Sequence, residues 1–215
     1  MTTILIIIAA TGLGAAIGVW TRRLLAPLKY RLEAEYELAE PGSRLWLIVV
    51  SGLALGSVTA SLAYTDNWPL ALTILPLTVA APALAAIDLD VMRLPNIILG
   101  PVALLTLAGL AIAAASRGDW STPLRATAGA LLAGGTLWLL NLITRGGVGF
   151  GDVKLAALVG LATGAVAMSA AWWAILVASA SAFVSVAVAR RSGPIPYGPW
   201  LLLGGWVAIL GQLWP

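Results

Sequence analysis

Apolar stretches follow one another along nearly the whole chain, separated by brief polar punctuation. Runs of predominantly apolar residues occupy positions 3–20, 45–64, 69–87, 97–115, 124–143, 154–166, 169–189 and 200–214. A helix needs about 20 such residues to cross the hydrocarbon core of a bilayer. The pattern therefore predicts an all-α, polytopic membrane bundle of about eight transmembrane helices. The sixth run is short, and residues 164–169 that follow it are all small or apolar, so that turn is the least marked. A polar segment at 22–44 interrupts the pattern with Arg22, Arg23, Lys29, Arg31 and Arg44 beside Glu33, Glu35, Glu37 and Glu40. Residues 1–215 read as one membrane domain, with 22–44 as a short cytoplasmic loop.

Charge sets the expected orientation. No cation precedes the first run, whereas Arg22 and Arg23 follow it. A secretory signal peptide has the opposite order, so an uncleaved span with its N-terminus outside is expected. Eight crossings then bring the C-terminus outside as well. On that topology Arg22, Arg23, Lys29, Arg31, Arg44, Arg93, Arg145, Lys154, Arg190 and Arg191 are cytoplasmic. Only Arg117 and Arg125 are external, so the twelve cations divide ten to two. Merging the sixth and seventh runs would move Arg190 and Arg191 outside and leave eight against four, so the inside-positive bias favours separate crossings. Small residues four apart, at Gly14 and Gly18, Gly52 and Gly56, and Gly160 and Gly164, mark expected seams between helices.

Composition agrees and removes other chemistries. Hydrophobic residues make up 60% and charged residues 10% of the chain, against roughly 25% charged in soluble domains. The net charge is only +3 and the cations are scattered, which fits topology signals and no nucleic-acid partner. There is no Cys and no His. Thiol nucleophiles, Ser-His pairs and Cys/His zinc sites are thereby excluded, and no metal or cofactor is expected. Carboxylate chemistry remains, with a Ser-Lys pair as the lesser alternative.

Two aspartates stand where charge needs a reason. Asp88 follows the apolar run ending at Ile87, and Asp152 sits in Gly149-Phe150-Gly151-Asp152 before the sixth run. Two crossings separate them, so both return to one face. A helix-end aspartate can merely cap its helix, but ionisable groups at such a depth mark function by default. Gly146, Gly147, Gly149 and Gly151 would leave the backbone free for unusual conformations and close approach. Asp90 is a rival carboxylate that would share a face with Asp88 on an extended segment. Lys154 could bias the pair, bind a lipid head group or simply anchor topology. On a helical loop, Glu33, Glu37 and Glu40 would share a face able to attract a basic peptide.

The segment Asp88-Leu89-Asp90-Val91-Met92-Arg93-Leu94-Pro95-Asn96 resembles the first-aspartate motif of type IV prepilin peptidases. Gly149-Phe150-Gly151-Asp152, followed by Val153-Lys154-Leu155, resembles that family's second, Gly-x-Gly-Asp motif. Pro194-Ile195-Pro196-Tyr197-Gly198-Pro199-Trp200 is similar to its C-terminal Pro-aromatic-Gly-Pro-aromatic run. The resemblance covers about residue 88 to the C-terminus. It implies an intramembrane-type aspartic endopeptidase, with Asp88 and Asp152 as the catalytic pair. Gly149, Gly151, Lys154, Asp90, Pro95, Asn96, Pro196, Tyr197, Gly198 and Pro199 would bind substrate or support the pair. The implied substrate is a prepilin or pseudopilin whose short basic leader is cut after a glycine. The implied place is the prokaryotic inner (plasma) membrane, with the site facing the cytoplasm. Longer members carry a cysteine-containing zinc insert and methylate the new N-terminus; this sequence departs from that pattern, so peptidase activity alone is expected. The competing reading is a small transporter or ion-conducting bundle that uses the same carboxylates.

Overall fold

A computed structural model describes residues 1–189 and 195–213. Eight α-helices account for most of them: α1 (Thr2–Leu25), α2 (Trp46–Tyr64), α3 (Ala71–Val91), α4 (Asn96–Arg117), α5 (Ser121–Ile143), α6 (Phe150–Val166), α7 (Met168–Ala189) and α8 (Gly198–Leu213). Six are long and apolar enough to cross a membrane, and α8 is a shorter apolar helix. At about 1.5 Å per residue, α6 and α8 reach about 25 Å each, short of the roughly 30 Å hydrocarbon core. Neither meets by itself the length expected of a full crossing. No strand occurs among the described residues. Arg190, Arg191, Pro194 and Trp214, to which the sequence assigns roles, lie outside them.

Neighbours in sequence pack as hairpins, α1 on α2, α3 on α4, α5 on α6 and α7 on α8. Beyond its hairpin partner, α6 also touches α3, α4, α7 and α8. Eleven of its 17 residues are buried, including Leu155, Ala156, Val159 and Ala162, so α6 is the axle of the bundle. The periphery belongs to α1, where only Gly14, Gly18, Thr21 and Leu25 are buried.

Those buried glycines are the expected seams. A methyl group built at Gly18 would stand 2.5 Å from the Leu47 carbonyl oxygen of α2, and one at Gly164 would stand 2.6 Å from that of Arg125 in α5. Gly52 faces Thr11, and Gly160 faces Gly129. Lipid tails give apolar side chains little reason to prefer each other, so close backbone contact carries the association. Inside α3, Pro76 removes the N–H that would meet the Leu72 carbonyl, and Gly109 of α4 lies against that oxygen.

Helix ends depart from the apolar runs, and polar contacts explain why. α1 continues through Arg22 and Arg23 in its last turn, where cations complement the dipole. α3 runs past Asp88 to Val91 and stops at Met92, whose φ of 49° is left-handed. α6 begins at Phe150, so Gly151, Asp152 and Lys154 are helical. The weakly marked turn is real. Ala167 is extended, with φ −159° and ψ 148°, which separates α6 from α7 as two helices. Before α5, Asp119 accepts hydrogen bonds from the Ser121 amide and hydroxyl and from Thr122. These hold its carboxyl at about 2.

The first loop is not a helix. Only Glu33–Glu35 forms a 3₁₀ turn, so Glu33, Glu37 and Glu40 do not share a helical face as the sequence suggested, although all three are exposed. Turns dominate because local polar bonds compete with the helical ladder. The Glu35 carboxylate accepts from its own loop at Leu32 N–H, 2.6 Å away, and from Arg93, 2.8 Å away.

Candidate active site

Three helix ends converge. The last turn of α3 supplies Asp88, the first turn of α6 supplies Asp152, and the start of α8 supplies Gly198. Asp88 is buried, with 2% of its surface exposed, and its Oδ2 accepts a hydrogen bond from the Gly198 backbone amide at 2.9 Å. Asp152 has an Oδ1 that is shielded from solvent and has no hydrogen-bond partner. Both carboxylates line one cavity of about 250 Å³, together with Met92, Arg93, Leu94, Asn96, Phe150 and Lys154. Among the described residues, no three His, Cys, Asp or Glu side chains are grouped to hold a metal ion.

The glycines act by size more than by backbone freedom. Of the four in this turn, Gly146 alone has a positive φ, 94°, which corrects the expectation of a freely bending loop. A methyl at Gly149 would come within 3.0 Å of Asp152 Oδ2, and one at Gly151 within 3.2 Å of Leu94 Cβ. Gly149 thus leaves room for the carboxylate, and Gly151 lets the start of α6 close on the turn after α3. The turn is held from α5, where the Asn141 side-chain amide donates to the Val148 carbonyl and the Asn141 carbonyl accepts from Gly146 N–H at 2.8 Å.

The supporting residues divide. Lys154 Nζ donates to Asn96 Oδ1 at 2.9 Å and lies 5.2 Å from the centre of the Phe150 ring, so it ties α6 to the start of α4. Pro95 caps that start in an extended conformation. Pro196 and Pro199 flank the Tyr197-Gly198 turn without lining the cavity. The Tyr197 hydroxyl lies 3.1 Å from Ser179 Oγ of α7, and burial pushes its phenol above the usual value.

Asp90 is not part of the cavity. Because α3 stays helical, two residues turn it by about 200° from Asp88; the extended-segment geometry expected from sequence does not hold. Asp90 instead bonds Arg31, Tyr30 and Arg44 of the first loop and its exit. Sequence reasoning missed two contributors, the Gly198 amide and the Arg31 cluster. Gly198 had a signal in its motif, though not for a backbone donor, and Arg31 had none beyond its charge.

Comparison with known proteins points the same way. Residues 74–189 match the type IV leader peptidase family. A "Prepilin leader peptidase/N-methyltransferase" of Aeromonas hydrophila is 34% identical over 167 residues, covering 73% of this chain and 55% of that protein. One of Pseudomonas putida is 32% identical over 200 residues, covering 85% and 60%, and one of Stutzerimonas stutzeri is 32% identical over 139 residues, covering 60% and 45%. This chain thus spans 55 to 60% of the length of the first two relatives. No solved structure matches it. Since the matched segment takes in more than half of the chain and encloses both carboxylates of the cavity, this protein belongs to the type IV leader peptidase family.

Proposed function

We propose that the protein is an aspartic endopeptidase of the prokaryotic inner membrane that removes the basic leader from prepilins or pseudopilins at its cytoplasmic edge. The observation that carries this reading is the pairing of Asp88 and Asp152 on one cavity, in a chain without Cys or His. Peptide hydrolysis by two carboxylates needs one ionised group to take a proton from water and one protonated group to polarise the scissile carbonyl. Two like charges sharing a site of low dielectric resist joint ionisation, so the pair holds one proton between them. That proton belongs to the dyad. Water attacks directly and no acyl-enzyme forms.

The surroundings suit this chemistry. The Gly198 amide orients one oxygen of Asp88, leaving its other oxygen for water. Asp152 Oδ1, buried without a protein partner, offers a place for substrate or water to complete its hydrogen bonds. Scissile carbonyls inside a helix are occupied by their own ladder, so the substrate enters extended, ahead of its hydrophobic helix. The reading covers the peptidase step alone. The transporter reading is weaker, because both carboxylates stand at helix ends and not midway along a span.

Co-reconstitution with a candidate prepilin tests the proposal. Wild type should shorten the leader after glycine, and Asp88→Ala and Asp152→Ala should each leave it intact. Cleavage by both variants would show that the dyad is misassigned.

A further inference from the structure

The end of α3 is an exposed liability for a site that depends on it. Asp88 lies one turn from the helix terminus, beyond which come the left-handed Met92 and the extended Pro95. Terminal turns fray, since their last carbonyls lack helical partners. Something must hold this turn if Asp88 is to keep a fixed direction.

The first loop does so through a buried ionic cluster. Arg31, whose side chain is 1% exposed, grips Asp90 with two nitrogens, Nη2 to Oδ1 at 2.6 Å and Nε to Oδ2 at 3.0 Å. The remaining guanidinium donors reach the Leu38 and Ala39 carbonyls at 3.0 and 2.8 Å. Tyr30 donates its hydroxyl to Asp90 and receives a bond from Arg44, whose Nη2 is also 3.4 Å from Asp90. Three residues further along, Arg93 Nη2 donates to the Tyr30 carbonyl and pairs with Glu35. The chain on both sides of Met92 is therefore tied to residues 30–44.

We infer that Arg31 and Asp90 are positioning residues, an ion pair by which the first loop clamps the last turn of α3 and so aims Asp88 into the cavity. The inference rests on the proposed peptidase reading for its catalytic consequence, though not for the clamp. Stability alone is a poor reason for such a pair, because desolvating two charges offsets most of their attraction and apolar residues often do as well. A bidentate fork supplies direction as well as energy. On α3 that direction is transmitted rigidly: Asp90 fixed on one side of the helix sets the azimuth of Asp88 on the other.

The test measures order and turnover separately, on the 215-residue chain in lipid nanodiscs. Arg31→Met leaves buried Asp90 with Tyr30 and Arg44 alone, so the double variant Arg31→Met with Asp90→Asn, which removes both charges of the pair, and the mild Tyr30→Phe keep the comparison open if the single variant fails to fold. Hydrogen exchange of the segment 86–95 should quicken in the clamp variants while α5 and α6 keep wild-type protection. With a prepilin substrate, kcat should fall roughly 10- to 100-fold for the double variant, as expected for a misplaced reacting group. KM should stay within about twofold, because the substrate contacts are not touched. Unchanged exchange at 86–95, or faster exchange with wild-type kcat, overturns the inference. If the wild-type protein cleaves no prepilin, the peptidase reading falls, and the exchange data still decide whether Arg31 and Asp90 hold the turn.

Discussion

Replacing Gly198 by alanine probes the dyad without touching either carboxylate. The new methyl would sit 2.8 Å from Asp88 Oδ2 and 3.1 Å from its Cγ. Ordinary contact begins near 3.4 Å, so the carboxylate or the start of α8 must yield by about 0.6 Å, a displacement sufficient to weaken the amide bond to Oδ2. Two losses combine. A hydrogen bond to a charged group is worth about 1.5–3 kcal/mol, and sub-ångström misplacement of a reacting group costs up to roughly a hundredfold in rate. The expected outcome is a fall in kcat of roughly 10- to 100-fold, or about 1.4 to 2.7 kcal/mol in the barrier, with KM nearly unchanged. The assay is steady-state cleavage of a purified prepilin in nanodiscs, read by the mobility shift of the shortened product. Gly135→Ala on α5 is the control, since nothing lies within 4 Å of its added methyl, and it should cleave at the wild-type rate. If Gly198→Ala is as active as Gly135→Ala, the amide of Gly198 plays no part in catalysis and the convergence of α8 on the site is incidental.

Other outcomes follow from single contacts. Gly164→Leu pushes into the Arg125 carbonyl, 2.6 Å from the first added carbon, and overpacking of this kind costs about 1–3 kcal/mol; thermal unfolding in detergent should shift down, and an unchanged midpoint would place the α5–α6 seam elsewhere. Asp119 is held at about 2, below its usual 3.8, by Ser121 and Thr122. A depressed carboxyl stabilises the fold above its unfolded value and loses that effect as pH falls through the folded one. The stability gap between wild type and Asp119→Ala should therefore be constant above about pH 4 and close toward pH 2, as denaturant titrations across that range would show. Replacing Glu33, Glu37 and Glu40 together by Gln should raise the KM for a basic leader roughly three- to tenfold at low salt and flatten its salt dependence. The same KM at every ionic strength would remove these exposed acids from substrate capture.

Much of this arrangement was legible in the sequence because lipid is a simple solvent. Apolar runs located all eight helices, and glycines four apart located the seams, since backbone proximity is the main thing helices in lipid can exchange. The α6–α7 break at Ala167 was legible only through the cations it sorts, as its own residues offer no turn chemistry. What escaped was polar and long-range. The turn of α3 past Asp88 is bonded by Arg31, 59 residues away from Asp90, and a hydropathy pattern contains no term for that partner. Ending the helix at Ile87 put Asp90 beside Asp88 when the true helix puts it opposite. The glycines of the Asp152 turn were visible, and of the two roles read for them close approach holds, since Gly149 and Gly151 provide space for Asp152 and Leu94, whereas unusual backbone conformation is confined to Gly146.

The bond from the Gly198 amide to Asp88 spans 110 residues, and that separation bears on biogenesis. Helices enter the membrane in the order they are synthesised. A chain interrupted after α7 already carries both aspartates yet lacks the donor that orients one of them. On the proposed reading the pair is therefore completed only when α8 inserts, and a copy interrupted after α7 should not cleave. If that reading holds, a membrane crowded with newly made hydrophobic segments would be spared cleavage until α8 is in place.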